Sequence, residues 1–282
     1  MRIKITMDST SDLPSALIEQ YDIGLTRLCV VKDGVPLIDG IEIVPDDIFD
    51  CVDSGGGTCH TVAVNVADYD EEFSKYLATH DALIHLSISS SMSSCHQNAV
   101  IAAEKFENVY VVDSESLSSG TGYLAVEAAI LAQSGATAGD IVEHVKNIVS
   151  KVDISFIIDS LKYLRKGGRC SSLASLGANV LKLKPCIEVK NGKMEVGKKY
   201  RGNFDKVILQ YISDKLRDRN DIDTSKIFVT FPCRTPQPVV NEVVALIKSL
   251  KKFDAVYETT AGCSISNHCG PVCLGVIFMR TN

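Results

Sequence analysis

No apolar run in the 282 residues approaches the 18 or more needed to cross a bilayer, so no membrane-spanning helix is expected. Positive charge is scarce as well: 29 Lys and Arg stand against 35 Asp and Glu, a net charge of -6. Binding a phosphate backbone needs a clustered cationic excess, which excludes nucleic acid as the main partner. The ten cysteines include no CxxC pair, and His268 with Cys263, Cys269 and Cys273 fits no common zinc spacing. Reduced thiols and no bound metal are the expectation. Neither a GxSxG elbow nor an HExxH pair occurs. The run GKMEVGKK from Gly192 lacks the Ser or Thr that a nucleotide-binding loop places after its lysine, and it falls in a hairpin rather than between a strand and a helix. No cofactor is therefore expected. Met1-Arg2-Ile3-Lys4-Ile5 leads straight into a strand and Asp8, so no signal peptide is expected and the chain reads as cytoplasmic.

What is present is an ordinary globular composition, 45% hydrophobic and 23% charged, at a length suited to one large or two modest domains. The most informative stretch is 83–99, LIHLSISSSMSSCHQNA. It passes from a short apolar strand, through six serines between Ser87 and Ser94, into a helix expected over 92–106. Strand, hydroxyl-rich loop and helix start gather free N–H groups and a positive dipole end, which suits a carboxylate or phosphate. One serine would suffice as a helix cap. Asp8-Ser9-Thr10-Ser11-Asp12 is a second such loop, at the carboxyl end of the first strand and before Pro14. It reads equally as a ligand edge and as a helix cap. Asp113-Ser114 reads as a further strand-end cap.

Up to about residue 155 strands and helices alternate: strands over 2–7, 23–31, 83–86 and 109–112, helices over 46–52, 68–80 and 118–133, and another after Asp140. Thr58 to Val66 is left as an apolar loop. Such alternation signals a layered α/β domain with a parallel sheet. Beyond it come a strand at 154–158, helices over 159–166 and 171–183 (the latter ended by Pro185), and Asn191-Gly192 between extended residues, a strong hairpin signal. Helices over 204–217 and 238–250 and strands at 227–231, 255–259 and 274–279 complete a second α/β domain with a mixed or antiparallel sheet. The expected division is 1–155 and 156–282.

Five segments in this order resemble the DegV family of bacterial fatty-acid-binding proteins: Asp8 to Leu13; Ile88 to Ser93; Tyr163-Leu164-Arg165-Lys166-Gly167-Gly168-Arg169; Lys184-Pro185 with the hairpin and Arg201; and His268-Cys269-Gly270-Pro271 with Leu274-Gly275. The resemblance implies a two-domain α/β fold that holds one long-chain fatty acid between its domains. It further implies a non-catalytic role: presenting the carboxylate to a separate ATP-dependent fatty acid kinase subunit and carrying the acyl phosphate. Ser93 matches the family's carboxylate-binding serine, Thr61 its threonine and His268 its C-terminal histidine, with N–H groups at the helix start near Met92 completing the set. Arg169 and Arg201 match basic residues at the pocket mouth. The chain departs from the family in writing Thr61-Val62-Ala63-Val64 for Thr-Ser-Gln-Pro, Ser93-Ser94-Cys95 for Ser-Gly-Thr, and Val272 for the glycine after Pro271. The first change makes one pocket wall more apolar. An alternative from another class is a hydrolase or acyltransferase with Ser93 as nucleophile and His268 as base, which requires the two within hydrogen-bond reach.

Overall fold

Six consecutive buried residues, Ala82–Ser87, sit at the centre of one sheet in a computed structural model that describes residues 1–55, 57–172 and 183–282. A strand buried on both faces needs cover on both, the condition that parallel sheets meet with helices. The first half runs β1 (Ile3–Asp8), α1 (Ser15–Gln20), β2 (Gly24–Thr26), β3 (Cys29–Lys32), β4 (Val35–Ile38), α2 (Pro45–Asp53), β5 (Cys59–Val62), α3 (Val66–Leu77), β6 (Ala82–Ser87), α4 (Cys95–Ala103), β7 (Val109–Asp113), α5 (Ser119–Gln133) and α6 (Ala138–Ile148). The second half runs β8 (Val152–Ile158), α7 (Lys162–Gly167), β9 (Leu183–Lys190), β10 (Lys193–Arg201), α8 (Phe204–Leu216), β11 (Lys226–Phe231), α9 (Gln237–Leu250), β12 (Ala255–Thr260), α10 (Cys263–Cys269) and β13 (Cys273–Met279).

Strands β2-β1-β6-β7 form an all-parallel sheet. A six-stranded sheet, β10-β9-β8-β13-β11-β12, is antiparallel except for its β11–β12 pair. The expected mixed α/β architecture, with one parallel and one mixed sheet, is what the chain adopts. Helix α5 lies between the two sheets: Tyr123, Leu124 and Ala128 pack in one apolar cluster with Ile5, Ile84, Phe228 and Ile277. A helix covered on all sides carries small and apolar residues all round, and over the first three turns of SGTGYLAVEAAILAQ every residue but Glu127 is buried. Helices α8 and α9 cover the other face of the mixed sheet. Among the described residues no helix is long and apolar enough to cross a membrane.

Four expectations change. The strand over 23–31 divides at Arg27-Leu28, because Gly24–Thr26 pair with β1 while Cys29–Lys32 pair with β4 and β5 in a separate antiparallel sheet. The apolar loop at 58–66 supplies β5 of that small sheet, ordered β4-β3-β5. The helix over 92–106 begins only at Cys95 and ends at Ala103, since Met92 and Ser93 N–H groups close turns onto the Ser89 carbonyl. Pro185 ends no helix: it lies within β9, opposite Lys199, beside a bulge between Val196 and Lys199 and beyond the β8 pairing. Of the helix expected over 171–183, Leu183 instead opens β9, and residues 173–182 lie outside those described. The hairpin forms as expected, with Asn191 and Gly192 both at positive φ, 49° and 73°.

Candidate functional site

The serine loop is built mostly to hold itself. Ser89 Oγ donates to the Gly192 carbonyl at 2.7 Å, tying the loop to the β9–β10 hairpin tip, and accepts the Ser91 N–H at 3.2 Å. Asp113 accepts the Ser90 and Glu115 N–H groups, as a strand-end cap does. From below, the wholly buried Asp8 accepts the Ile88 N–H at 2.9 Å and the Tyr69 hydroxyl at 2.6 Å. That leaves Ser93 and Ser94 as the serines of the run that face the cavity beside the loop. Met92 joins them through its side chain. Its backbone N–H is committed to the Ser89 carbonyl at 2.9 Å, so the donor expected near Met92 is already spent.

The cavity has a volume of about 350 Å³ and lies where β5, the serine loop, α7, the hairpin and α10 meet. It brings Thr61, Met92, Ser93, Arg169 and His268 together. Arg201, the last residue of β10, is exposed and does not line it. Apolar side chains, among them Ile88, Leu117, Phe156, Leu164, Met194 and Ile265, make most of the rest of its described lining. Val62 and Ala63, where the sequence departs from the family pattern, line it too, and Val62 is 41% exposed at its rim.

Helix α10 aims His268 into this space, and two carboxylates fix the helix start. Asp39 accepts the Cys263 and Ser264 N–H groups, both at 3.1 Å, and the Ser264 hydroxyl at 2.8 Å. Asp12 accepts the Gly262 N–H at 2.8 Å and the Ser118 hydroxyl at 2.5 Å. Burial, with Asp39 nearby, pushes Asp12 up to about 7 against these hydrogen bonds. Gly167 makes room for the imidazole: a Cβ there would stand 2.1 Å from His268 Nδ1.

His268 Nε2 lies 3.2 Å from Thr61 Oγ1, and Nδ1 is buried without a partner among the described residues. Burial, and then the Arg169 guanidinium, push its pKa down to about 4, so the ring is neutral at pH 7. We assign the tautomer from the hydrogen bonding. A lone pair on Nδ1 is less costly to bury unpaired than an N–H, and Nε2–H then donates to Thr61 Oγ1. The Thr61 proton is thereby left to donate elsewhere. Ser93 Oγ accepts the Cys95 N–H and points its own proton at Cys95 Sγ, both at 3.2 Å. Sulfur is a weak acceptor, so a carboxylate oxygen would take that proton instead. Arg169 is exposed at the mouth, its Nη1 donating to the Gly167 carbonyl at 2.7 Å.

The arrangement disfavours Ser–His nucleophilic chemistry. His268 Nε2 is engaged by Thr61 and the Ser93 proton by Cys95, so the nucleophile–base hydrogen bond is not formed. The cysteines around His268 point away from it: Cys263 Sγ donates to the Ile43 carbonyl and Cys269 Sγ to the Ile265 carbonyl, both at 3.1 Å. Two further polar residues line the cavity, Thr10, which the sequence reading placed only within a loop that could be a ligand edge or a helix cap, and Ser264, which it did not single out. Thr10 Oγ1 is buried with no partner among the described residues. Its signal was the acid and hydroxyl cluster after β1, most of which serves structure. Ser264 had none.

The model of the DegV family of uncharacterised proteins matches residues 2–281. A DegV domain-containing protein of Caldanaerobacter subterraneus is 30% identical over 98% of both chains. A fatty acid-binding protein of Thermotoga maritima is 29% identical, covering 98% of this chain and 96% of its own. Among solved structures, a fatty-acid-binding DegV family protein from Thermus thermophilus superposes with a TM-score of 0.89 at 26% identity, over 99% of this chain and 100% of its own. A DegV lipid-binding protein from Thermotoga maritima gives a TM-score of 0.85 at 27% identity, over 99% of each chain.

Proposed function

The chain belongs to the DegV family, and from that premise we propose that it binds one long-chain fatty acid in the cavity and is a carrier rather than an enzyme. The observation that carries the reading is the split polarity of the cavity. Thr61, Ser93 and neutral His268 stand together against a wall of Ile88, Leu117, Phe156, Leu164 and Met194. Each CH₂ buried there contributes about 0.8 kcal/mol. A carboxylate can follow only if it is hydrogen-bonded, because an unpaired buried charge costs several kcal/mol. The two hydroxyl protons of Thr61 and Ser93 meet that need.

The wider reading is that the chain works in the cytoplasm and presents the carboxylate to an ATP-dependent kinase subunit, then carries the acyl phosphate. Arg169 at the mouth would meet phosphoryl charge, and the exposed Arg201 an acidic surface of the kinase, since guanidinium binds phosphate and carboxylate in a bidentate manner. Within this reading the chain divides near residue 155, inside β8, into domains of 1–155 and 156–282 with the ligand between them.

Native mass spectrometry of the purified protein should find an added mass of a fatty acid of about 14 to 18 carbons, a tail length that a cavity of this class encloses. The delipidated protein should bind labelled palmitate or oleate with sub-micromolar affinity. Failure of every acid tested to bind better than micromolar would refute the proposal.

A further inference from the structure

A separate cleft of about 390 Å³ lies where the loop after β7, the segment after α6, the start of β8 and the β9 side of the hairpin meet. It shares no lining residue with the cavity described above. Ligand clefts run from about 300 to 1,000 Å³. Val152, Ile154 and Val189 make its apolar part, and most of the charges around it cancel. Lys215 Nζ stands 3.1 Å from Glu188 Oε1 and 3.6 Å from Asp153 Oδ1, and Lys190 Nζ stands 2.8 Å from Glu188 Oε2. Arg219 takes the other Asp153 oxygen at 3.0 Å and grips Asp221 through Nε and Nη2, at 2.8 and 2.6 Å. Three cations thus serve three carboxylates. Two charged lining residues stay outside these pairs, Arg280 and Glu115. Arg280 Nη2 donates to the Ser150 carbonyl, while its Nε is buried with no partner among the described residues. Glu115 is exposed, and a φ of 45° holds its backbone in the left-handed region, where its N–H donates to Asp113 at 2.9 Å. Beside it the hydroxyl of Ser116, a residue only 1% exposed, also has no partner among the described residues.

We propose that this cleft binds a small zwitterion, its carboxylate on Arg280 and its ammonium on Glu115, with the Ser116 hydroxyl as a further hydrogen-bond partner. The reading is independent of what the fatty-acid cavity holds. A guanidinium with N–H groups to spare is suited to a carboxylate. A guanidinium N–H and a hydroxyl buried without partners are costly, and folded proteins leave few of them so. The two unpaired charges decide what kind of molecule fits. A simple anion drawn to Arg280 would also meet Glu115, and a simple cation drawn to Glu115 would meet Arg280. A ligand that carries both charges satisfies both. The backbone of Glu115 points the same way. A left-handed glutamate persists only where its surroundings impose it, and here that conformation belongs to a residue that lines the cleft.

The experiment is isothermal titration of the full chain with glycine, 4-aminobutyrate and 6-aminohexanoate, which set the two charges progressively further apart. Palmitate is present throughout, so that no short carboxylate is counted in the fatty-acid cavity. Acetate and methylamine, butyrate and butylamine, and hexanoate and hexylamine serve as controls with one charge each. At least one of the three zwitterions should bind with a Kd below about 1 mM, and at least about tenfold more tightly than either of its halves. Arg280→Gln and Glu115→Gln should each weaken that zwitterion by about tenfold or more, while palmitate affinity stays unchanged. Failure of all three zwitterions to bind below about 1 mM, or a half that binds as well as the whole, would overturn the proposal. So would a zwitterion held as tightly by Glu115→Gln as by wild type. Because Arg280 also holds the Ser150 carbonyl, Glu115→Gln, at an exposed position, decides alone if Arg280→Gln does not fold.

Discussion

Ser93, Thr61 and His268 divide the work of holding an anion unequally. Ser93 gives up only a weak bond to sulfur when it turns to a carboxylate, so its hydroxyl contributes nearly its full value. Ser93→Ala should therefore weaken fatty-acid binding by about 1–3 kcal/mol while leaving the methyl ester of the same acid almost unaffected, measured by titration calorimetry on both ligands. Equal losses would place Ser93 away from the head group. The same preparations should cleave nitrophenyl acyl esters no faster than the Ser93→Ala protein. His268 and Asp12 carry opposite pH signatures. With its folded pKa about 4 against 6.5, His268 makes the unfolded chain the better proton binder between those values, so its contribution to stability is present above 6.5 and lost as pH falls towards 4. Asp12, raised from 3.8 to about 7, makes the folded chain the better proton binder, so its contribution is present below 3.8 and lost as pH rises towards 7. In wild type the two largely cancel between pH 4 and 6.5. Removing the imidazole with His268→Gln should expose the Asp12 slope, so the ligand-free variant becomes more stable from pH 7 to pH 4 by on the order of 2–3 kcal/mol. A flat or falling curve, followed by urea denaturation at each pH, would contradict these assignments.

At the scale of elements, α10 is too short to hold itself. Its seven residues depend on Asp39, whose two oxygens satisfy three donors at its start. Asp39→Ala should cost about 2–4 kcal/mol of stability, because it strands buried donors rather than removing a single bond. It should weaken fatty-acid binding in parallel, as the helix that aims His268 loosens. Asp39→Asn, which keeps one acceptor oxygen, should recover part of both, read by thermal unfolding and ligand titration. What was legible in the sequence follows the same logic. Elements made by local periodicity or turn chemistry could be read directly: the buried run of β6, the amphipathic α9, the Asn191-Gly192 hairpin. β5 could not, because Cys59–Val62 become a strand only by pairing with Cys29–Lys32. Nor could the commitment of the Met92 N–H, which is settled by a turn onto Ser89. The cavity is the extreme case: Thr61 and His268 stand 207 residues apart, and only their separate matches to family segments hinted that they meet. Thr10 could not be told apart within its cluster, where Asp8, Ser9 and Asp12 serve structure.

For the whole molecule, the two arginines now stand in different places. Arg169 borders the cavity while Arg201 ends an outer strand. Arg169→Ala and Arg201→Ala should both retain fatty acid near wild-type affinity, yet acyl-phosphate formation with the partner kinase and ATP should fall at least about tenfold, or 1.4 kcal/mol. Lost lipid with normal turnover per bound lipid would reverse that assignment. A different consequence attaches to α5, which packs against both sheets at once. A boundary drawn between the sheets is not a boundary in folding. A fragment of residues 1–155 would carry α5 with the face that meets Phe228 and Ile277 bared to water, and the complementary fragment would bare those two side chains. Neither half should be soluble when made alone, whereas mixed in refolding buffer they should complement one another. The intact chain should melt in a single calorimetric transition, and the amide protons of Tyr123 to Ala128 should exchange with solvent only when everything else has already opened.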